Sequence, residues 1–134
     1  MDTMKLANKI QTILCDDVRT ETGNKFSLMG IYGRSILFKK FPALLPKLCL
    51  CIMIEGAKID FREFNVTFKC PETETTHIKL PVSEESQVGQ NIVLFAKIIP
   101  FRANTTGQAK FEVRVDKNKR PSIIHRFEIK QDTQ

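Results

Sequence analysis

The sequence predicts an all-β fold, an antiparallel β-sandwich of about eight strands. Apolar and polar residues alternate with a period of two in several short segments, which is strand spacing. Two further segments are predominantly apolar but too short for typical helices, which predicts strands that are covered on both faces. Turn-forming residues recur every 8 to 12 residues or so, and no segment has a convincing helical pattern. A small β-barrel is the alternative, because strand spacing does not distinguish a closed sheet from two packed ones.

The first hairpin is the segment around which the other elements are arranged. Residues 10–18 predict the first strand, and alternate residues from Phe26 to Tyr32 predict the second. The loop at 21–24 contains glycine and asparagine, which tolerate a positive φ, so the chain can reverse direction there. Gly30 within the second strand predicts a bulge or a close approach of two backbones.

The remaining predicted strands are short and bounded by turns. They are 35–38, 48–54, 64–70, 77–80, 91–99, 110–116 and 123–129. The two predominantly apolar segments, 48–54 and 91–99, are candidate partners in one sheet or counterparts in opposite sheets, and the last two segments predict a hairpin.

The segment 41–46 predicts a connection that crosses from one sheet to the other. Its two prolines exclude it from the centre of a sheet. Its large apolar side chains, Phe41, Leu44 and Leu45, predict a plug over the core rather than a free loop.

Length and composition favour one domain that spans residues 1–134. A chain of 134 residues can bury a core without disulfides, and its ten Phe and no Trp fit a packed interior better than a stacking platform. The N-terminus lacks a signal peptide and no apolar run is as long as a membrane span, so we expect a cytoplasmic protein that binds no membrane. The net charge of +6 favours acidic partners in general.

The four cysteines, at positions 15, 49, 51 and 70, match no zinc-site spacing. Unpaired cysteine is among the most buried residue types, so we expect four reduced thiols in the core, with no disulfide and no metal. Nothing in the sequence indicates a cofactor.

Two stretches of the sequence resemble a known family. They are residues 15–32, which contain an Asp-Asp-Val-Arg run and end in Gly-Ile-Tyr, and the proline-containing segment 41–48. Its members are short bacterial and prophage-associated proteins of unknown function with an immunoglobulin-like β-sandwich fold. A weaker likeness extends over 107–130. The resemblance implies an immunoglobulin-like fold and supplies no substrate, cofactor or catalytic residue.

The acidic group Asp16, Asp17 and Glu21 has two interpretations. Carboxylates at a strand end and in the adjacent loop can bind calcium. The favoured interpretation is that one Asp accepts hydrogen bonds from the backbone or from Arg19 while the other is solvated.

The sequence offers no constellation for catalysis. His77 and His125 are both expected on outward strand positions, no Gly-x-Ser-x-Gly motif is present, and the cysteines lie mostly in apolar runs where a thiolate is disfavoured. We therefore expect a protein that is not an enzyme.

Basic residues of the last hairpin suggest nucleic-acid binding as an alternative function. The candidates are Lys110, Arg114, Lys119, Arg120, Arg126 and Lys130. Those on the two strands can share one face and meet phosphates. Acidic residues alternate with them, however, and no outward aromatic residue lies between them, which is typical of a solvated face with cross-strand ion pairs.

The favoured function is a non-enzymatic interaction module or accessory subunit that binds another protein or a second copy of itself. An apolar plug beside a charged turn suits partner docking. The predicted contact residues are Asp16, Asp17, Arg19, Glu21, Phe41, Leu44 and Leu45.

Overall fold

The computed structural model describes residues 3–83 and 85–133 of the chain. One helical turn, α1 (Thr3–Leu6), precedes a series of strands. The strands are β1 (Ala7–Glu21), β2 (Lys25–Ile31), β3 (Ser35–Phe38), β4 (Ala43–Leu45), β5 (Leu48–Ala57), β6 (Glu63–Lys69), β7 (Thr76–Pro81), β8 (Ile92–Ile98), β9 (Phe101–Ala103), β10 (Gly107–Val115) and β11 (Ile123–Gln131).

The strands form two main sheets and a small third one. The first sheet has the order β2-β1-β5-β8, the second has the order β3-β11-β10-β6-β7, and β4 pairs with β9. Every pair is antiparallel except β3 with β11, which is parallel. The prediction of an all-β sandwich built from antiparallel sheets is confirmed.

The core between the two main sheets is built largely of aromatic and branched side chains. Phe68 of β6 lies at its centre, and its ring packs against those of Phe101, Phe111 and Phe127 at centroid distances of 4.5 to 6.2 Å. Alternation along β6 turns Phe64, like Phe68, inward, as the sequence predicts. The predicted strand at 48–54 lies within β5, between β1 and β8, so its central position is as predicted. Of the two arrangements open for 91–99, the structure has pairing in the same sheet. Coverage on both faces was wrong for this segment, because β8 is an edge strand whose residues 92–95 are only partly buried and whose Lys97 is exposed.

Two strands, β4 and β9, have no counterpart in the prediction, which treats 41–46 only as a connection. The segment does link the second sheet to the first, and Phe41 and Leu45 are partly buried against the core. Leu44, however, is 58% exposed. Because side chains alternate along a strand, pairing with β9 points Leu44 outward, and only two of the three residues can act as a plug.

The second half of β1 and all of β2, residues 16–31, form a hairpin arm that folds back over the first sheet. Phe26 lies opposite Thr20, whereas Phe95 of β8 lies in the same row as Ile13. The seven positions from Ile13 to Thr20 correspond to about 23 Å of extended strand. Nevertheless the rings of Phe26 and Phe95 are 5.0 Å apart, edge to face. The first sheet is therefore strongly curled.

The base of the hairpin arm contains the close backbone approach that Gly30 predicts. Gly30 has a φ of +66°, and a Cβ at this position would lie 2.9 Å from Asp16 Cγ. The Asp16 carboxylate occupies this space because it accepts a short hydrogen bond from the hydroxyl of Tyr32. The Tyr32 amide in turn donates to the Leu14 carbonyl.

Candidate interaction surfaces

The acidic residues at the start of the hairpin arm are engaged within the chain. Asp16 accepts a hydrogen bond from Tyr32. Asp17 Oδ1 accepts hydrogen bonds from the amide of Val18 at 2.8 Å and from Lys47 Nζ at 3.1 Å. These two donors hold the pKa of Asp17 below its usual range. The acids therefore hold the arm in place.

Nor do these acids converge on a common point. Glu21 binds the hydroxyl of Ser27 at 3.0 Å, and Arg19 is exposed. Among residues 3–83 and 85–133, no group of three His, Cys, Asp or Glu side chains could hold a metal ion. Among the described residues, Asp16, Asp17 and Glu21 therefore do not form such a group.

An exposed apolar edge lies directly beside these acids. Strand β2 is the outermost strand of its sheet, and among the described strands it pairs only with β1. Its side chains Phe26, Met29 and Ile31 are 43%, 39% and 61% exposed. An edge strand presents free backbone N–H and C=O groups, so this edge combines apolar side chains with unused hydrogen-bonding capacity. This position of β2 was not predicted, although apolar residues on both faces of one short strand were a signal for it.

A basic face covers the outer side of the second sheet. Lys69, Lys110 and Arg126 lie directly opposite one another on three neighbouring strands. Like charges in such positions repel each other. Beside the row lies Glu112, which is 5% exposed. The predicted shared face of Lys110 and Arg126 is present, but the contribution of Lys69 was not foreseen because strand register cannot be read from spacing alone.

Glu112 neutralises only part of this basic face. Its carboxylate contacts Lys69 Nζ at 2.9 Å, Lys110 Nζ at 3.3 Å and a terminal nitrogen of Arg114 at 2.9 Å. Lys69, together with Lys110 and Arg114, lowers the pKa of Glu112 to about 2. Arg114 also donates from Nε to the carbonyl of Lys119 at 3.0 Å. Arg114 is therefore largely occupied by contacts within the chain. Arg126 and Lys130, by contrast, form no ion pair with any described residue.

Residues 11–127 match the model of a family of unknown function (DUF6941). The chain belongs to this family. The matched region contains every predicted contact residue except Lys130. A search of curated proteins found no match. No helix among the residues that the structure describes is long and apolar enough to cross a membrane.

Within the region shared with DUF6941, three buried thiols lie on the side of the first sheet that faces away from the second. Cys15 lies opposite Cys49, and Cys51 follows on the same face of β5, alternating with the core residue Leu50. The three side chains are 0 to 2% exposed. Because Phe95 lies opposite Cys51, the contact of the hairpin arm with Phe95 places the arm over these thiols.

Burial makes these thiols poor nucleophiles. It raises the pKa of Cys49 to about 12 and that of Cys51 to about 11, and it also raises the pKa of Cys15. All four cysteines are buried and free, as the sequence predicts. Three of them, however, lie beneath the arm and not between the two main sheets.

Phe95→Ala is expected to raise the rate at which Cys49 and Cys51 react with a thiol reagent by roughly tenfold. Removing the ring contact lowers the free energy of arm opening by about 1.4 kcal/mol. Reaction with iodoacetamide, followed by peptide mass spectrometry, measures each site separately. Cys70, at the end of β6, is the internal control. An equal acceleration at Cys70 would mean global unfolding and would contradict arm opening.

The two histidines differ in environment, and one prediction about them is wrong. His77 is exposed, as expected. His125 instead faces inward, where its Nδ1 lies 2.8 Å from the hydroxyl of Thr12 on the opposite sheet. Burial lowers the pKa of His125, because desolvation disfavours the charged imidazolium. It faces inward because β11 places it in phase with Phe127, whose ring lies in the core.

Proposed function

We propose that the protein is a non-enzymatic interaction module that binds another protein through the exposed edge of the hairpin arm. The observation that carries this proposal is β2, an edge strand that pairs with β1 on one side, has no described strand on the other, and has three exposed apolar side chains. A partner segment in extended conformation can add a strand there, since its backbone supplies the missing hydrogen bonds and its side chains cover the apolar ones.

The features that surround the edge favour a specific partner over indiscriminate pairing. Lys25 begins the strand, and the positive φ of Gly30 kinks it near its end. Charge and kinks are common ways in which edge strands avoid aggregation. The acids Asp16, Asp17 and Glu21 then support the surface through their internal bonds, and Arg19 beside them is free to contact the partner.

Other features support a finer description of the protein. The sequence resemblance supports an immunoglobulin-like sandwich of bacterial or prophage origin. Four free, buried cysteines fit a reducing compartment, which favours the cytoplasm. Leu44, exposed on β4, is a further candidate contact outside the arm.

The test is a pull-down from the native host with two matched variants, Ile31→Lys and Ile99→Lys. Both isoleucines are about equally exposed, at 61% and 63%, but only Ile31 lies on the β2 edge. We expect Ile31→Lys to weaken binding of the captured and then purified partner by roughly tenfold or more, and Ile99→Lys to leave it unchanged. Size-exclusion chromatography shows whether that partner is a second copy.

Two results would contradict this proposal. Equal binding by both variants would show that the β2 edge is not part of the interface. A captured complex that disappears on nuclease treatment and weakens steeply with salt would indicate nucleic-acid binding instead.

A further inference from the structure

We propose that the basic face docks an acidic, partly apolar segment of a partner protein, with Arg126 and Lys130 as its main contacts. This surface lies on the second sheet, whereas the β2 edge belongs to the first. The proposal therefore goes beyond the function proposed above and is tested independently of it.

The basic face keeps positive charge after internal pairing. Six cations lie on the outward positions of the second sheet: Lys69, Lys79, Lys110, Arg114, Arg126 and Lys130. Glu112 pairs with three of them, and Glu63 lies 3.8 Å from Lys79. Arg126 and Lys130 are exposed and make no ion pair with any described residue. Glu128 lies between them as the one remaining outward carboxylate.

Arg126 lies at one end of a row of like charges. Lys110 lies directly opposite it, and Lys69 lies opposite Lys110. The carboxylate of Glu112 offsets the two lysines but does not contact Arg126. A carboxylate from a partner placed over Arg126 would relieve this repulsion, so the face is electrostatically complementary to an acidic ligand.

Exposed aliphatic residues on this face favour an acidic polypeptide over nucleic acid. Two exposed aliphatic residues lie among the cations: Ile124, 40% exposed, beside Arg126, and Leu37, 58% exposed, opposite Lys130. None of the outward residues of these five described strands is Phe, Tyr or Trp, and His77 on β7 supplies their single imidazole ring. Single-stranded nucleic acids use aromatic platforms for stacking, whereas aliphatic side chains beside cations suit a segment with both acidic and apolar residues.

The turn after β10 extends the same positive field. Arg114 Nε holds the carbonyl of Lys119, so this basic turn is tied to the end of the face. Lys117 and Arg120, exposed in the same turn, add to the potential that attracts an anionic segment.

The experiment measures the binding of a fluorescein-labelled peptide of Glu-Glu-Leu repeats by anisotropy. A peptide of about twelve residues spans about 40 Å when extended, enough to cross the sheet. The competitors are the same peptide with Gln for Glu, a single-stranded oligonucleotide and a DNA duplex. We expect the Glu peptide to bind at least roughly tenfold more tightly than the Gln peptide and either nucleic acid.

Paired variants locate the site. Arg126→Glu with Lys130→Glu should weaken binding of the Glu peptide by roughly tenfold or more, and Ile124→Ser by about threefold. The control is Lys9→Glu with Lys97→Glu, two exposed lysines of the first sheet that lie outside the β2 edge and whose reversal changes the net charge equally. Circular dichroism verifies that each variant is folded.

Three results would overturn the proposal. Equal weakening by both double variants would mean attraction by net charge alone. Equal binding of the Glu and Gln peptides would show that ion pairs do not contribute to binding. Tighter binding of either nucleic acid than of the Glu peptide would assign the face to phosphates.

Discussion

Gly30→Ala is expected to lower the free energy of unfolding by about 3 kcal/mol, which corresponds to a fall in Tm of about 10 °C. About 1 kcal/mol of this comes from the positive φ of +66°, which an L side chain tolerates poorly. The rest comes from the overlap of the new Cβ with the Asp16 carboxylate. That carboxylate cannot move aside without losing its hydrogen bond to Tyr32. Thermal and urea unfolding measure the effect.

Gly23→Ala is the matched control for this prediction. Gly23 also has a positive φ, +85°, but a Cβ there would meet no atom within 4 Å. Its cost should therefore be limited to the backbone contribution of about 1 kcal/mol. Similar losses for the two variants would show that the contact with Asp16 does not matter.

A double-mutant cycle then isolates the contact itself. Asp16→Ala removes both the obstacle and the hydrogen bond to Tyr32. In the Asp16→Ala background, Gly30→Ala should cost about 1 to 2 kcal/mol less than in the wild type. Strict additivity would contradict the steric explanation.

Glu112→Gln is expected to lower the free energy of unfolding by about 2 kcal/mol at pH 7. The substitution retains the shape of the side chain but removes the charge that brings together Lys69, Lys110 and Arg114. Their mutual repulsion would then be uncompensated in the folded state. Urea denaturation at low ionic strength measures the loss.

The same carboxylate should make stability depend on pH in a defined window. The pKa of Glu112 is about 2 in the folded protein and 4.5 as its ordinary value. Its stabilisation is therefore complete above pH 4.5 and is lost as the pH falls toward 2, because the unfolded chain takes up a proton that the folded chain does not. The difference between wild type and Glu112→Gln should shrink over this window.

Glu128→Gln provides the control on the same face. Glu128 is half-buried on β11 and has no ion-pair partner among the described residues. Its substitution should change the free energy of unfolding by less than about 0.5 kcal/mol. A loss equal to that of Glu112→Gln would show that the general charge balance, and not the three-cation cluster, controls stability.

The sequence carried most of the information on the strands but little on how they meet. Alternation located the inward residues of β6 correctly, because a half-buried strand must repeat with period two. The same logic failed for His125, since an imidazole with one hydrogen-bond partner can occupy an inward position that its polarity argues against. The positive φ expected at the first loop is present at Gly23 and Asn24.

The candidate surfaces were harder to predict because they depend on register and curvature. The row formed by Lys69, Lys110 and Arg126 exists only through the alignment of three strands. The position of the hairpin arm over the thiols depends on the bend of β1, which no local pattern encodes. Asp16 and Asp17 were identified as notable, but their partners Tyr32 and Lys47 come from distant positions in the chain.

The parallel pair of β3 and β11 has a consequence for biogenesis. Ser35 lies beside Glu128, so β3, which is synthesised early, can pair with β11 only after more than ninety further residues have been synthesised. Until β11 leaves the ribosome, the second sheet lacks the strand that separates β3 from β10. Contacts so distant along the chain slow folding, and a nascent chain of this architecture would hold its apolar strands exposed to chaperones for most of its synthesis.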